Sequence, residues 1–129
     1  MDFVFNKDIE KRDRIIFGKY KPEEYHGGIR RFESLDVERL EYLFKNRFID
    51  PEDCQNLAPS AQEFLDFMRK YPFWEAHGYV VEAKRPDYRI SIEGIARETV
   101  PDDPEELRAY SILCGGDADV FQPNYCWYD

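Results

Sequence analysis

Between Tyr88 and Ile95 apolar and polar residues alternate without a break: Tyr88-Arg89-Ile90-Ser91-Ile92-Glu93-Gly94-Ile95. Successive side chains of a β-strand point to opposite faces. Tyr88, Ile90 and Ile92 therefore share one face, and Arg89, Ser91 and Glu93 share the other. The preceding run, His77-Gly78-Tyr79-Val80-Val81-Glu82-Ala83, is also rich in β-formers. Lys84-Arg85-Pro86-Asp87 joins the two, with proline presetting the φ of a tight turn and Asp87 favouring turn geometry. A lone two-stranded hairpin is marginal in water. Its apolar face must be covered, and this need constrains the rest of the chain.

Helices to cover it are legible on both sides. Ser34 reads as the N-cap of a helix running to Phe48, with Val37, Leu40, Leu43, Phe44 and Phe48 on one stripe. Asp36 and Glu38 in its first turn and Lys45 and Arg47 in its last suit the helix dipole. Asp50-Pro51 stops it, because a residue before proline is pushed out of the α region. Ser60-Ala61-Gln62-Glu63 is a capping box. The helix it opens carries Phe64, Leu65, Phe67, Met68 and Tyr71 on one face and ends at Pro72. Further on, Asp103 reads as an N-cap, Pro104 as the first helical residue and Glu106 as the third. Gly115-Gly116 ends that helix, and Tyr125 to Tyr128 read as a last strand docking on the hairpin.

The N-terminal third is less regular. Phe3 and Phe5 start a short strand, and Lys7 to Phe17 form a helix with Ile9, Arg12 and Ile16 on one side. Lys21 to Gly28 and the Gly27-Gly28-Ile29-Arg30-Arg31 stretch after it read as loop. The expectation is a single-domain α+β fold over residues 1–129, with three or more helices packed on a small antiparallel sheet that contains the 76–95 hairpin.

The order helix, short link, helix, hairpin over residues 34–95 resembles the winged-helix family. That resemblance implies a second helix, Ala61 to Tyr71, lying in a DNA groove, and a wing whose tip, Lys84 and Arg85, contacts phosphates. The outward face of that helix, Gln62, Glu63, Asp66, Arg69 and Lys70, sums to zero charge. DNA affinity comes largely from neutralising phosphates, so this face argues against nucleic acid as the partner.

Net charge sharpens the point. The chain carries −9 at neutral pH. Residues 98–129 hold eight acidic groups against one basic group, Arg108, which is −7 for that segment. The same segment is rich in aromatics, so it is no free acidic tail. Asp117, Asp119, Tyr125, Trp127 and Tyr128 are the residues expected to form a partner surface, since aromatic side chains dominate interface hot spots.

No apolar run approaches a membrane span, and the N-terminus lacks the pattern of a signal peptide. The three cysteines, Cys54, Cys114 and Cys126, are widely spaced. They read as reduced thiols in a cytoplasmic protein, with Cys114 and Cys126 packed and Cys54 in a charged loop. Paired metal-ligand spacings and nucleophile motifs are missing, so neither a cofactor nor a metal is implied. His77 is expected to line the hairpin and His26 to lie in a loop. The carboxylate pairs, Glu105-Glu106 among them, read as solvated. The first functional expectation is a non-catalytic protein-interaction module with an acidic aromatic C-terminal surface and a basic protein partner. The alternatives are a winged-helix nucleic-acid-binding regulator and an enzyme of unknown reaction.

Overall fold

The computed structural model describes residues 3–21 and 25–129. Four helices and five strands follow in the order α1 (Ile9–Phe17), β1 (Ile29–Leu35), α2 (Val37–Lys45), α3 (Ala61–Lys70), β2 (Glu75–Val81), β3 (Ile90–Ala96), α4 (Pro104–Cys114), β4 (Val120–Gln122) and β5 (Tyr125–Trp127). The strands make one antiparallel sheet in the order β1-β2-β3-β5-β4. The expected α+β class and the expected hairpin are both present, with β2 and β3 at the centre of the sheet.

Local chemistry explains most boundaries. The capping box at α3 is formed in full: the Glu63 amide donates to Ser60 Oγ and the Ser60 amide donates to Glu63 Oε1. Asp103 caps α4, Pro104 opens it and Gly115 ends it. β5 docks on β3 through Ala96 and Tyr125. The residues 22–24 within the expected loop lie outside the described residues.

Four expectations about secondary structure need correction. Ser34 does not cap α2; Asp36 does, its carboxylate accepting from the Arg39 amide. Ser34 instead belongs to β1 and takes a positive φ of 56°. Asp50-Pro51 does not end α2, which stops at Lys45. There Arg47 adopts φ 61° and the Phe48 amide donates back to the Leu43 carbonyl, a left-handed stop that satisfies the final carbonyls. The stop drops Phe48 and Ile49 into the core as non-helical residues. Residues 29–31 are strand rather than loop, because β2 offers them a pairing edge that no local propensity reveals. Phe3 and Phe5 form no strand; their rings pack edge to face, and Phe5 meets Tyr88 the same way.

The sheet register sorts side chains into two faces. Phe32 lies opposite Gly78, and Gly78 opposite Ile92; Leu35 lies opposite Ala76, and Ala76 opposite Ile95. This face is buried beneath α1, α2 and α3 together with Leu40, Leu43, Phe64, Leu65 and Met68. Helix α4 closes the same core at the other end, where Cys114 meets Cys126 of β5 and Trp74 stacks on Tyr110 with ring centroids 4.4 Å apart. Glu106 is buried rather than solvated. Its carboxylate accepts from the Trp74 indole at 2.8 Å and from the Arg97 guanidinium. Burying an acid demands such partners.

The opposite face is only partly covered. Arg31 lies opposite Tyr79, and Tyr79 opposite Ser91. The connection between α2 and α3 reaches them, with Gln55 Nε2 donating to the Tyr79 hydroxyl and the Ser91 hydroxyl donating to Asp53 Oδ2, both at 2.9 Å. This contact buries Ser91 on what the alternation marks as the polar face. Among the described residues no helix is long and apolar enough to cross a membrane.

Cys54 is exposed, whereas Cys114 and Cys126 are buried. The Cys114 thiol is pushed up from its ordinary value, first by its hydrogen bond to Cys126 and then by burial. An aromatic disulfide reagent should therefore titrate one thiol rapidly in the native protein. The other two should appear only with unfolding, and rapid native labelling of all three would contradict this packing.

Candidate functional site

Two irregularities shape the uncovered part of the sheet face. In β1 the register shifts between Phe32 and Leu35, and Ser34 sits in the left-handed region that costs a non-glycine residue about 1 kcal/mol or more. Arg39 of α2 holds it there by donating to the Ser34 carbonyl. Between β2 and β3 the register shifts at His77 and Gly78, so that Glu93 is an extra residue. Such bulges re-aim side chains. Here they leave Glu33 and Ser34 exposed beside His77.

The result is a groove of about 240 Å³ lined by Glu33, Ser34, Glu75, His77, Ala96 and Tyr125. It continues over Arg31, Glu93 and Trp127. The His77 and Tyr125 rings stack on one another, with centroids 5.0 Å apart and planes 6° from parallel. His77 Nε2 is 2.9 Å from the Cys126 carbonyl. A carbonyl only accepts, so Nε2 carries the proton and Nδ1 keeps its lone pair. Burial lowers the His77 pKa below its ordinary 6.5; the Cys126 hydrogen bond and the Glu33 charge oppose this, and the Arg31 charge adds to it. The ring is neutral at neutral pH. Gly94 makes the packing possible. A Cβ there would lie 2.0 Å from the Cys126 carbonyl oxygen and 2.9 Å from His77 Cε1.

The charges around the ring are unbalanced. Arg31 is engaged by Glu93, whose other carboxylate oxygen accepts from the Trp127 indole at 3.2 Å. Glu33 and Glu75 make no ion pair among the described residues. The groove therefore offers two free carboxylates, one neutral imidazole acceptor and a flat aromatic wall. No hydrogen bond joins the Ser34 hydroxyl to His77, and no group of three metal-ligating side chains occurs among the described residues. The arrangement is one of acceptors, suited to holding a cation.

The residues expected to form a partner surface divide. Tyr125 and Trp127 line the groove on β5. Asp117 and Asp119 are exposed before β4; the Asp119 amide donates to the Trp127 carbonyl, and its carboxylate accepts from the Asp129 amide at 2.7 Å. Tyr128 is only 1% exposed, and its hydroxyl donates to the Cys114 carbonyl at 3.0 Å. It packs in the core and does not reach the surface. Lys84 and Arg85 do lie at the hairpin turn. Arg85 is clasped by Asp87 through two bonds of 2.9 and 2.8 Å, and Lys84 lies 3.5 Å from Glu82. On α3, Arg69 pairs with Glu41 and Asp66.

Glu33, Glu75 and His77 belong to the site, yet only His77 is singled out by sequence, and only as lining the hairpin. The signal for two of them is the period-two spacing of Glu75, His77 and Tyr79, which puts all three on one face. Glu33 gives no such signal, since its strand is invisible locally. No family model matches the chain, and comparison with curated proteins and with solved structures gives no match either.

Gly94→Ala should destabilise the fold by about 1–3 kcal/mol in denaturant titrations, the usual cost of overpacking. A neutral effect would refute the tight approach of β5. The His77 sign follows from its lowered pKa: the fold favours the neutral ring. That contribution is complete above 6.5 and is lost as pH falls below it towards the folded value. Between about pH 7.5 and about pH 5.5, a window in which imidazole titrates, wild type should lose more stability than His77→Gln. Equal losses would show that His77 titrates as in the unfolded chain.

Proposed function

We propose that the protein is a non-catalytic interaction module that binds a basic segment of another protein on the open face of its sheet. One observation carries this reading: Glu33 and Glu75, free of ion pairs among the described residues, flank the stacked His77 and Tyr125 rings in a single groove. The C-terminal segment contributes as its composition suggests, though by a different route. Tyr125 and Trp127 supply the aromatic wall. Asp117, Asp119 and Asp129 stand exposed around β4 and β5 and add to the negative potential. Complementary charge of this kind speeds encounter and selects against like-charged partners.

Fluorescence anisotropy with a labelled basic peptide tests the proposal. Binding should weaken between about 50 mM and about 500 mM salt, where screening shortens from roughly 14 to 4 Å. The double variant Glu33→Gln/Glu75→Gln should lose about tenfold in affinity, as expected for two rim ion pairs. Salt-independent binding, or equal affinity in wild type and variant, would overturn the reading.

A further inference from the structure

Resting on that reading, we propose that the groove is an arginine pocket, seating one guanidinium of the partner in preference to a lysine ammonium. The shape of the acceptor set favours it. The acceptors are dispersed over two adjacent strands, with Glu33 on β1 and both Glu75 and His77 on β2, where Nε2 of His77 is used by the Cys126 carbonyl and Nδ1 keeps its lone pair. A guanidinium carries five donors fixed in one plane and meets several separated acceptors at once. An ammonium is a compact, strongly hydrated point charge that gains little from acceptors it cannot reach together.

The walls agree with a planar cation. The His77 and Tyr125 rings stack on each other, parallel within 6°, which leaves the outer face of the stack to a ligand; a guanidinium is weakly hydrated and stacks on such a surface. The part of the groove beside these rings measures about 240 Å³ and opens along the sheet towards Arg31 and Trp127. It suits a single side chain presented by a larger partner. Arg31 lines the adjoining part of the groove, and Glu93 already holds it. It therefore does not fill the groove in place of an incoming arginine.

The experiment compares three peptides of one sequence, with the basic positions as arginine, lysine or citrulline. Citrulline keeps the planar shape of arginine and removes its charge. The arginine peptide should bind wild type about tenfold more tightly than the lysine peptide, and the citrulline peptide should not bind measurably. Backbone amide shifts on adding the arginine peptide should centre on Glu33, Glu75, His77 and Tyr125. His77→Phe keeps an aromatic ring but deletes the Nδ1 acceptor. It should narrow the gap between arginine and lysine peptides by weakening the arginine peptide several-fold more than the lysine peptide. Equal binding of arginine and lysine peptides, both weakened by Glu33→Gln/Glu75→Gln, would overturn the arginine preference and leave the basic-partner reading standing. Amide shifts centred elsewhere would overturn the pocket. Absence of salt-sensitive binding to either charged peptide would overturn both proposals.

Discussion

Glu93 is the residue on which the sheet depends. It is the extra residue of the β3 bulge, and it is only 3% exposed. Its carboxylate accepts from Arg31 of β1 and from the Trp127 indole of β5, while its backbone carbonyl accepts from the Tyr128 amide at 2.8 Å. One side chain and one carbonyl thus join three strands. A buried carboxylate is tolerated only with such partners. The bulge also sets the phase of the strand. Ile92 and Ile95 are three residues apart, which in a regular strand puts them on opposite faces. The inserted residue restores both to the helix-covered side, and the bulge in β1 does the same for Phe32 and Leu35.

The high aromatic content has a structural use. Trp74, Tyr110 and Tyr128 are fully or almost fully buried, each with its polar atom bonded: the Trp74 indole to Glu106, the Tyr110 hydroxyl to the Gln122 carbonyl and the Tyr128 hydroxyl to the Cys114 carbonyl. A second buried network ties α1 to the hairpin. Arg12 bonds Asp13 beside it on α1 and reaches the hydroxyls of Tyr88 and Tyr25. Large rings with polar tips let a small core bury much apolar area without stranding donors. Tyr125 and Trp127 alternate with buried Cys126 on β5, so a single short strand feeds both the core and the groove.

How much was legible follows from the range of the interactions. The capping box at Ser60 and Glu63, the Asp103-Pro104 helix start and the β2–β3 hairpin depend on residues a few positions apart, and each could be read directly. Strand β1 could not, because Ile29 to Leu35 has no pattern of its own and takes its conformation from the β2 edge. Ser34 shows the cost of a local reading. Serine before an acidic turn resembles an N-cap, yet Asp36 has that role and Ser34 turns a bulge. Glu106 misleads in the same way, since an acid in a first helical turn is normally solvated, and only Trp74 and Arg97, distant in sequence, bury it.

The sequence by itself determined the class of the fold, the central hairpin, two of the helix starts and the acidic charge balance. These are sums over local propensity and formal charge, which need no knowledge of contacts. Only the tertiary structure decided where the groove forms. Glu33, Glu75, His77 and Tyr125 come from three strands separated by up to ninety-two positions. Two bulges and the missing side chain of Gly94 bring them together. The physical reason is that a bulge and a close backbone approach are settled by the pairing of strands, and pairing is a property of the folded sheet.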